Sequence, residues 1–208
     1  MEHIVNQITV RGELVALPEF SHENHGRRFY RFYLDVPRLS GNNDRLPVII
    51  SEQLLNTLDP SAGEYIKVIG QVRSHNIRSA NARHLLIFIF AISAAVENGD
   101  ACNDVILEGP LCKDPIYRRT PLGREICDVM LAVPRTFRRA DYLPCIFWGR
   151  TAQDISACRT GDRIRMTGRL QSRTYTKRTE TGSEERIAYE ISALSAEILD
   201  EPNEDALY

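Results

Sequence analysis

Residues 162–175, DRIRMTGRLQSRTY, alternate with a period of two. Ile164, Met166, Gly168 and Leu170 fall on one side of an extended chain, and Arg163, Arg165, Thr167, Arg169, Gln171, Arg173 and Tyr175 fall on the other. This alternation predicts a strand with one face on a core and the other toward solvent. DVILEG (104–109), ICDVMLAV (126–133), DYLPCIFW (141–148) and RIAYEISALSAEIL (186–199) also read as strands, rich in β-branched and aromatic residues and separated by Gly, Pro and charged turns. The helix candidate of this half is GRTAQDISACR (149–159), between the third and fourth strands.

The pattern occurs twice. With a shift of 97, Asn6 superimposes on Asn103, Gly12 on Gly109, Pro18 on Pro115, Gly26 on Gly123, Pro37 and Arg38 on Pro134 and Arg135, and Leu46 and Pro47 on Leu143 and Pro144. A one-residue insertion then brings Gly63 onto Gly161 and Gly70 onto Gly168. Matches of Gly and Pro are informative because each marks backbone geometry that other residues fit poorly. The chain divides into residues 1–98 and 103–200, with the polar stretch ENGDACN (97–103) at the boundary and residues 201–208 as a short acidic tail. Five strands with one helix after the third is the pattern of the OB-fold, a small Greek-key barrel. The expected class is all-β with a minor helix per domain, arranged as two tandem OB-fold barrels.

Composition narrows the function. Of the 208 residues 43% are hydrophobic, and no apolar run reaches the roughly 18 residues of a membrane span. The opening MEHIVNQITV has neither a basic segment nor a long apolar core, so no secretory signal is read there and a cytoplasmic protein is expected. Cys102, Cys112, Cys127, Cys145 and Cys158 are odd in number and form no CxxC pair, which argues against a disulfide framework and a zinc site. His22 and His25 lie in a polar loop without a partner at ligand spacing. There is no Walker loop, GxSxG or HExxH. No cofactor and no catalysis are expected, only binding.

The outward positions suggest what is bound. In DYLPCIFW, Leu143, Cys145 and Phe147 share the core parity, leaving Tyr142 and Trp148 outside. Aromatics beside arginines on an exposed sheet make a stacking platform with phosphate partners, the combination that holds single-stranded nucleic acid. The plain alternative is a solvated arginine face with Trp148 as a second-layer core residue. Tyr117, Arg118 and Arg119 lead into the first hairpin of this half, either alongside that platform or as an ordinary exposed turn.

Residues 103–199 resemble the DNA-binding domain of bacterial single-stranded DNA-binding proteins. NDVILEGPLCKDPIYRRTPLGREICDVMLAV, DYLPCIFWGRTAQD and GRLQSRTYTKRTETGSEERIAYEISA follow that family's order. The resemblance implies base stacking by aromatics after the second strand, on the third and on the fourth-strand hairpin, which fall on Phe137, Tyr142, Trp148 and Tyr175. With Arg118, Arg119, Arg163, Arg165, Arg169 and Arg173 these make the expected site for single-stranded DNA, bound without sequence preference in replication, repair or recombination. A primosomal-type OB-fold adaptor that mainly recruits replication proteins is the alternative.

The first half departs from the pattern. Ser40, Arg45, Ser51 and Ile77 stand at the positions of the four aromatics, and Tyr65, Lys67, Gln71 and His75 at those of Arg163, Arg165, Arg169 and Arg173. Residues 1–100 carry 10 basic and 11 acidic groups, residues 101–196 carry 16 and 12, so attraction to phosphate is expected in the second half. Phe29, Arg31 and Tyr33 share an outward parity, as a second nucleic-acid contact or as packing. HLLIFIFAISAAV (84–96) is apolar on both parities, so one face requires a cover; Ile87 and Ile89 are expected there. A homodimer giving four barrels is therefore expected. Residues 197–208 hold five acidic groups and no basic one before the closing Ala-Leu-Tyr, similar to the acidic tip by which the family recruits replication or repair proteins.

Overall fold

The computed structural model describes residues 5–79, 82–137, 139–179 and 182–199. The first half contains β1 (Asn6–Leu14), β2 (Glu19–Asn24), β3 (Arg27–Pro37), β4 (Asn43–Ser51), α1 (Glu52–Leu58), β5 (Tyr65–Ser79) and β6 (Ala82–Val96). The second repeats the order with β7 (Cys102–Pro110), β8 (Ile116–Arg119), β9 (Glu125–Arg135), β10 (Arg139–Trp148), α2 (Gly149–Ser156), β11 (Arg163–Thr179) and β12 (Gly182–Leu199). Hydrogen bonds run through one sheet in the order β2-β3-β4-β6-β5-β1-β7-β11-β12-β10-β9-β8. Each half closes on itself, the first by β1 on β3 and the second by a bridge between Leu111 and Leu131. The fold is all-β with two tandem OB-fold barrels.

Alternation places the core as the sequence indicates. Ile8, Leu34, Leu46 and Ile66 fill the first barrel, and Leu107, Leu131, Leu143, Phe147, Ile164, Met166 and Leu170 the second. Two repeated glycines are explained by close approach. A Cβ at Gly109 would lie 2.2 Å from Ala132 O and one at Gly168 2.4 Å from Ser192 O; at the matching Gly12 and Gly70 the distances to Asp35 O and Phe90 O are 2.6 and 2.2 Å. The first pair sits where each barrel closes, the second beside the β-bulge between its last two strands.

The halves are related by a local two-fold axis. In the antiparallel pairing of β1 with β7, Ile8 faces Val105, its counterpart in the repeat, while Asn6 faces Leu107 and Val10 faces Asn103. The axis also passes between His84 and Arg186, equivalent residues whose Nδ1 and Nη1 lie 3.3 Å apart where the hairpins β5–β6 and β11–β12 meet. Asp44 and Asp141, both at core parity and both buried, tie each hairpin to the other barrel. Asp44 accepts from Ser172 N at 2.7 Å and Ser172 Oγ at 3.1 Å. Asp141 accepts from Ser74 N at 2.7 Å. Arg38 neutralises Asp44 and reaches Ser172 O, while Arg73 and Arg135 neutralise Asp141.

Three expectations are corrected. Ile87 and Ile89 face the barrel interior and are buried, because the register of β6 on β5 puts them opposite Ser74 and Val72; the outward residues of that strand are Leu86, Phe88 and Phe90. The helix expected to end at Arg159 ends at Ser156, where the chain turns toward β11. Tyr117, Arg118 and Arg119 belong to β8, a short strand paired with β9, not to a turn. Residues 201–208, on which the tail expectation falls, lie outside the described residues.

Candidate nucleic-acid interface

The outer surface of the second barrel is built by β8, β9, β10, β12 and β11 as adjacent strands. Tyr142 and Trp148 project from the same face of β10, six residues apart, a separation of roughly 20 Å along a strand. Trp148 is 40% exposed, so it is not a core residue. Its indole N–H donates to Ser192 Oγ on β12 at 3.1 Å, which fixes the ring plane. Tyr142 is half exposed and borders the other barrel, its backbone N–H donating to Ser74 Oγ at 2.8 Å. Phe137 stands in the loop between β9 and β10 at a φ of +60° and is 93% exposed, its ring turned to solvent.

β11 and β12 carry the platform outward. Arg169 faces Ser192 across the ladder and Gln171 faces Glu190, so Trp148, Ser192 and Arg169 form one row on neighbouring strands. Farther along, the Arg173 guanidinium lies 5.5 Å from the centre of the Tyr175 ring, a cation–π contact, and 3.7 Å from Glu190. Arg118 on β8 is paired with Asp128 on β9, its Nη2 donating to Oδ1 at 3.2 Å, and Arg119 donates to Glu125 at 2.9 Å. Burial pushes the Glu190 carboxyl above the usual carboxylate range; Arg173 and Arg118 oppose this, and the charge of Asp128 reinforces it. Arg118, Asp128, Glu190 and Arg173 thus form an alternating band that joins β8 to the distal hairpin.

The four predicted arginines of β11 keep the outward parity but differ in what they are bonded to. Arg163 donates to Glu108 on β7 at 3.1 Å and Arg165 lies 4.0 Å from the same carboxylate, around the barrel from Trp148. Arg169 makes no ion pair among the described residues, and Arg173 is the arginine beside an aromatic of the platform. The outward parity shared by Ser192 and Glu190 in RIAYEISA is the sequence signal for these two residues, and Asp128 has none. Among the described residues no group of three or more His, Cys, Asp or Glu is placed to hold a metal ion. No helix among them is long and apolar enough to cross a membrane.

Comparison with known proteins agrees with this architecture. The model of the Single-strand binding protein family matches residues 102–199, the span of the second barrel. Single-stranded DNA-binding protein B of Bacillus subtilis (strain 168) is 39% identical over 80 residues, covering 35% of this chain and 71% of that protein. Single-stranded DNA-binding protein A of the same strain is 36% identical over 109 residues, and the chain spans 61% of its length. The crystal structure of the wild-type single-stranded DNA binding protein from Thermus aquaticus superimposes with a TM-score of 0.77 over 95% of this chain and 94% of that one, at 23% identity, a likeness of fold that takes in both barrels. The chain belongs to the single-stranded DNA-binding protein family.

Proposed function

We propose that this protein binds single-stranded DNA without sequence preference, and that the second barrel is its main contact. The observation that carries this is the row of Trp148, Ser192 and Arg169: a half-exposed indole, held in plane, next to an arginine without an ion-pair partner among the described residues. Bases stack on Trp148, Tyr142, Tyr175 and Phe137, while Arg169 and Arg173 meet phosphates. Stacking suits any base because every base has a π-face, and it is worth about 1–3 kcal/mol per base. Duplex DNA offers no exposed base face, so the site discriminates by strandedness. Anisotropy of labelled oligo(dT) tests this: saturable binding that excess duplex fails to displace supports the reading, and equal competition by duplex refutes it.

Roles in replication, repair or recombination, and recruitment of other proteins by residues 201–208, extend the same proposal. So does assembly of two chains into a four-barrel particle. Ile92 and Leu194, the extra residues of the two equivalent bulges, are 60% and 70% exposed and offer matching apolar contacts from both halves. Light scattering above the 23.7 kDa of one chain supports the dimer, and the mass of one chain refutes it.

A further inference from the structure

The first barrel lacks an aromatic at each position that matches the four of the second, yet the structure fills the same place from neighbouring strands. Trp148 pairs with Ile126 on β9, and its indole is bonded to Ser192 on β12. By the parallel registers of β4 on β6 and β10 on β12, the counterpart of Ser192 is Phe90, beside Ile49 as Ser192 is beside Ile146. The counterpart of Trp148 is Ser51, and Phe29 lies directly across from it on β3. Aromatic and serine have exchanged strands. Ser51 has other work, since its hydroxyl caps α1 by accepting from Leu54 N at 3.3 Å.

The two relocated rings are in contact with each other. Phe29 and Phe90 have centroids 5.9 Å apart, and both are partly exposed. The Arg73 guanidinium lies 5.9 Å from the centre of the Phe90 ring. On Phe29 a planar heteroaromatic ring already lies nearly parallel: exposed His22, with centroids 5.0 Å apart and planes 14° from parallel. Next to it, Arg28 stands 5.2 Å from the Phe20 ring centre and 5.7 Å from that of Tyr30. Partly exposed aromatic rings attended by guanidinium groups are the chemistry that accepts a nucleobase and its phosphate.

We infer that Phe29 and Phe90 form a second nucleobase-stacking site, on the first barrel, in which a base displaces or adds to the His22 ring. This rests on the reading that the chain binds single-stranded DNA. The consequence is that both barrels contact one strand, through aromatics presented by different strands of the same fold.

The test uses the full chain. Trp148 is the chain's single tryptophan, so the double variant Trp148→Phe, Phe90→Trp moves the fluorescent reporter to the proposed site. Oligo(dT) of about 35 nucleotides is expected to quench both the unmodified protein and this variant. Quenching of the unmodified protein with unchanged emission from position 90 overturns the second site and leaves the main proposal standing; absence of oligonucleotide binding by the unmodified protein overturns both. As a second measurement, Phe29→Leu with Phe90→Leu keeps apolar volume but removes the π-faces. It is expected to weaken oligo(dT) binding at least about fivefold, with the melting temperature little changed, whereas unaltered affinity overturns the inference.

Discussion

The indole N–H of Trp148 donates to the hydroxyl of Ser192 at 3.1 Å. This bond joins β10 to β12 on the outer surface and holds the ring in one orientation before any ligand arrives, which lowers the ordering cost of stacking. Trp148→Ala is expected to weaken oligo(dT) binding by about tenfold or more, in line with the loss of one stacked base. Ser192→Ala keeps the ring and should cost less than Trp148→Ala. Titrations at one fixed salt concentration, with circular dichroism to confirm folding, check the ranking.

The arginines separate by what they are bonded to. Arg163 shares Glu108 with Arg165, while Arg169 stands in the row with Trp148. Arg169→Ala is therefore expected to reduce the salt slope of single-strand binding by about 0.7, the loss of one phosphate contact. Arg163→Ala should leave the slope unchanged. Affinities measured across a range of salt concentrations distinguish the two.

Glu190 places a carboxylate inside the proposed phosphate path, and burial raises its pKa. It therefore takes up a proton earlier on acidification than an ordinary carboxylate does, and binding is expected to strengthen as pH falls through that raised value. The folded chain holds this proton more tightly than the unfolded chain, so the same group's contribution to stability is present at low pH and lost as pH rises. Glu190→Gln should bind more tightly at neutral pH, by roughly two- to tenfold for removing one charge near phosphates, and should flatten the pH profile. Binding isotherms from mildly acidic to neutral pH are the check.

Asp141 and Asp44 join the barrels reciprocally, each buried and each bonded to a serine of the other barrel's hairpin. Asp141→Ala leaves Ser74 N–H, Arg73 and Arg135 without their shared acceptor. Removing one partner of a buried ion pair costs about 3–5 kcal/mol, and thermal melts should show a loss of that order. The pairing of β1 with β7 adds to this union, so point substitutions in the full chain report on the separate barrels better than isolated halves do.

The sequence carried the barrels because alternation and repeated turns are local signals. Ile164, Met166, Gly168 and Leu170 are buried as their parity requires, and Gly109 and Gly168 recur because carbonyls approach them closely. What it could not carry is the relation between strands distant in the chain. The exchange of Trp148 and Ser192 for Ser51 and Phe90 depends on which residues of β4 and β6 lie side by side, so the matching positions alone hold no aromatic in the first barrel. How the β11 arginines divide depends on such a neighbour too, since Glu108 comes from β7 and pairs with Arg163 and Arg165. The reciprocal aspartates did leave a trace, an acid at core parity before Leu-Pro in DRLP and DYLP, which gains meaning once the barrels face each other.

Stacking of a base on Trp148 is read directly from fluorescence, because Trp148 is the chain's single tryptophan. Titrating the full-length protein with oligo(dT) is expected to give saturable quenching that salt reverses and that Trp148→Phe abolishes. Unchanged emission at an oligonucleotide concentration where anisotropy shows the protein saturated would contradict the account.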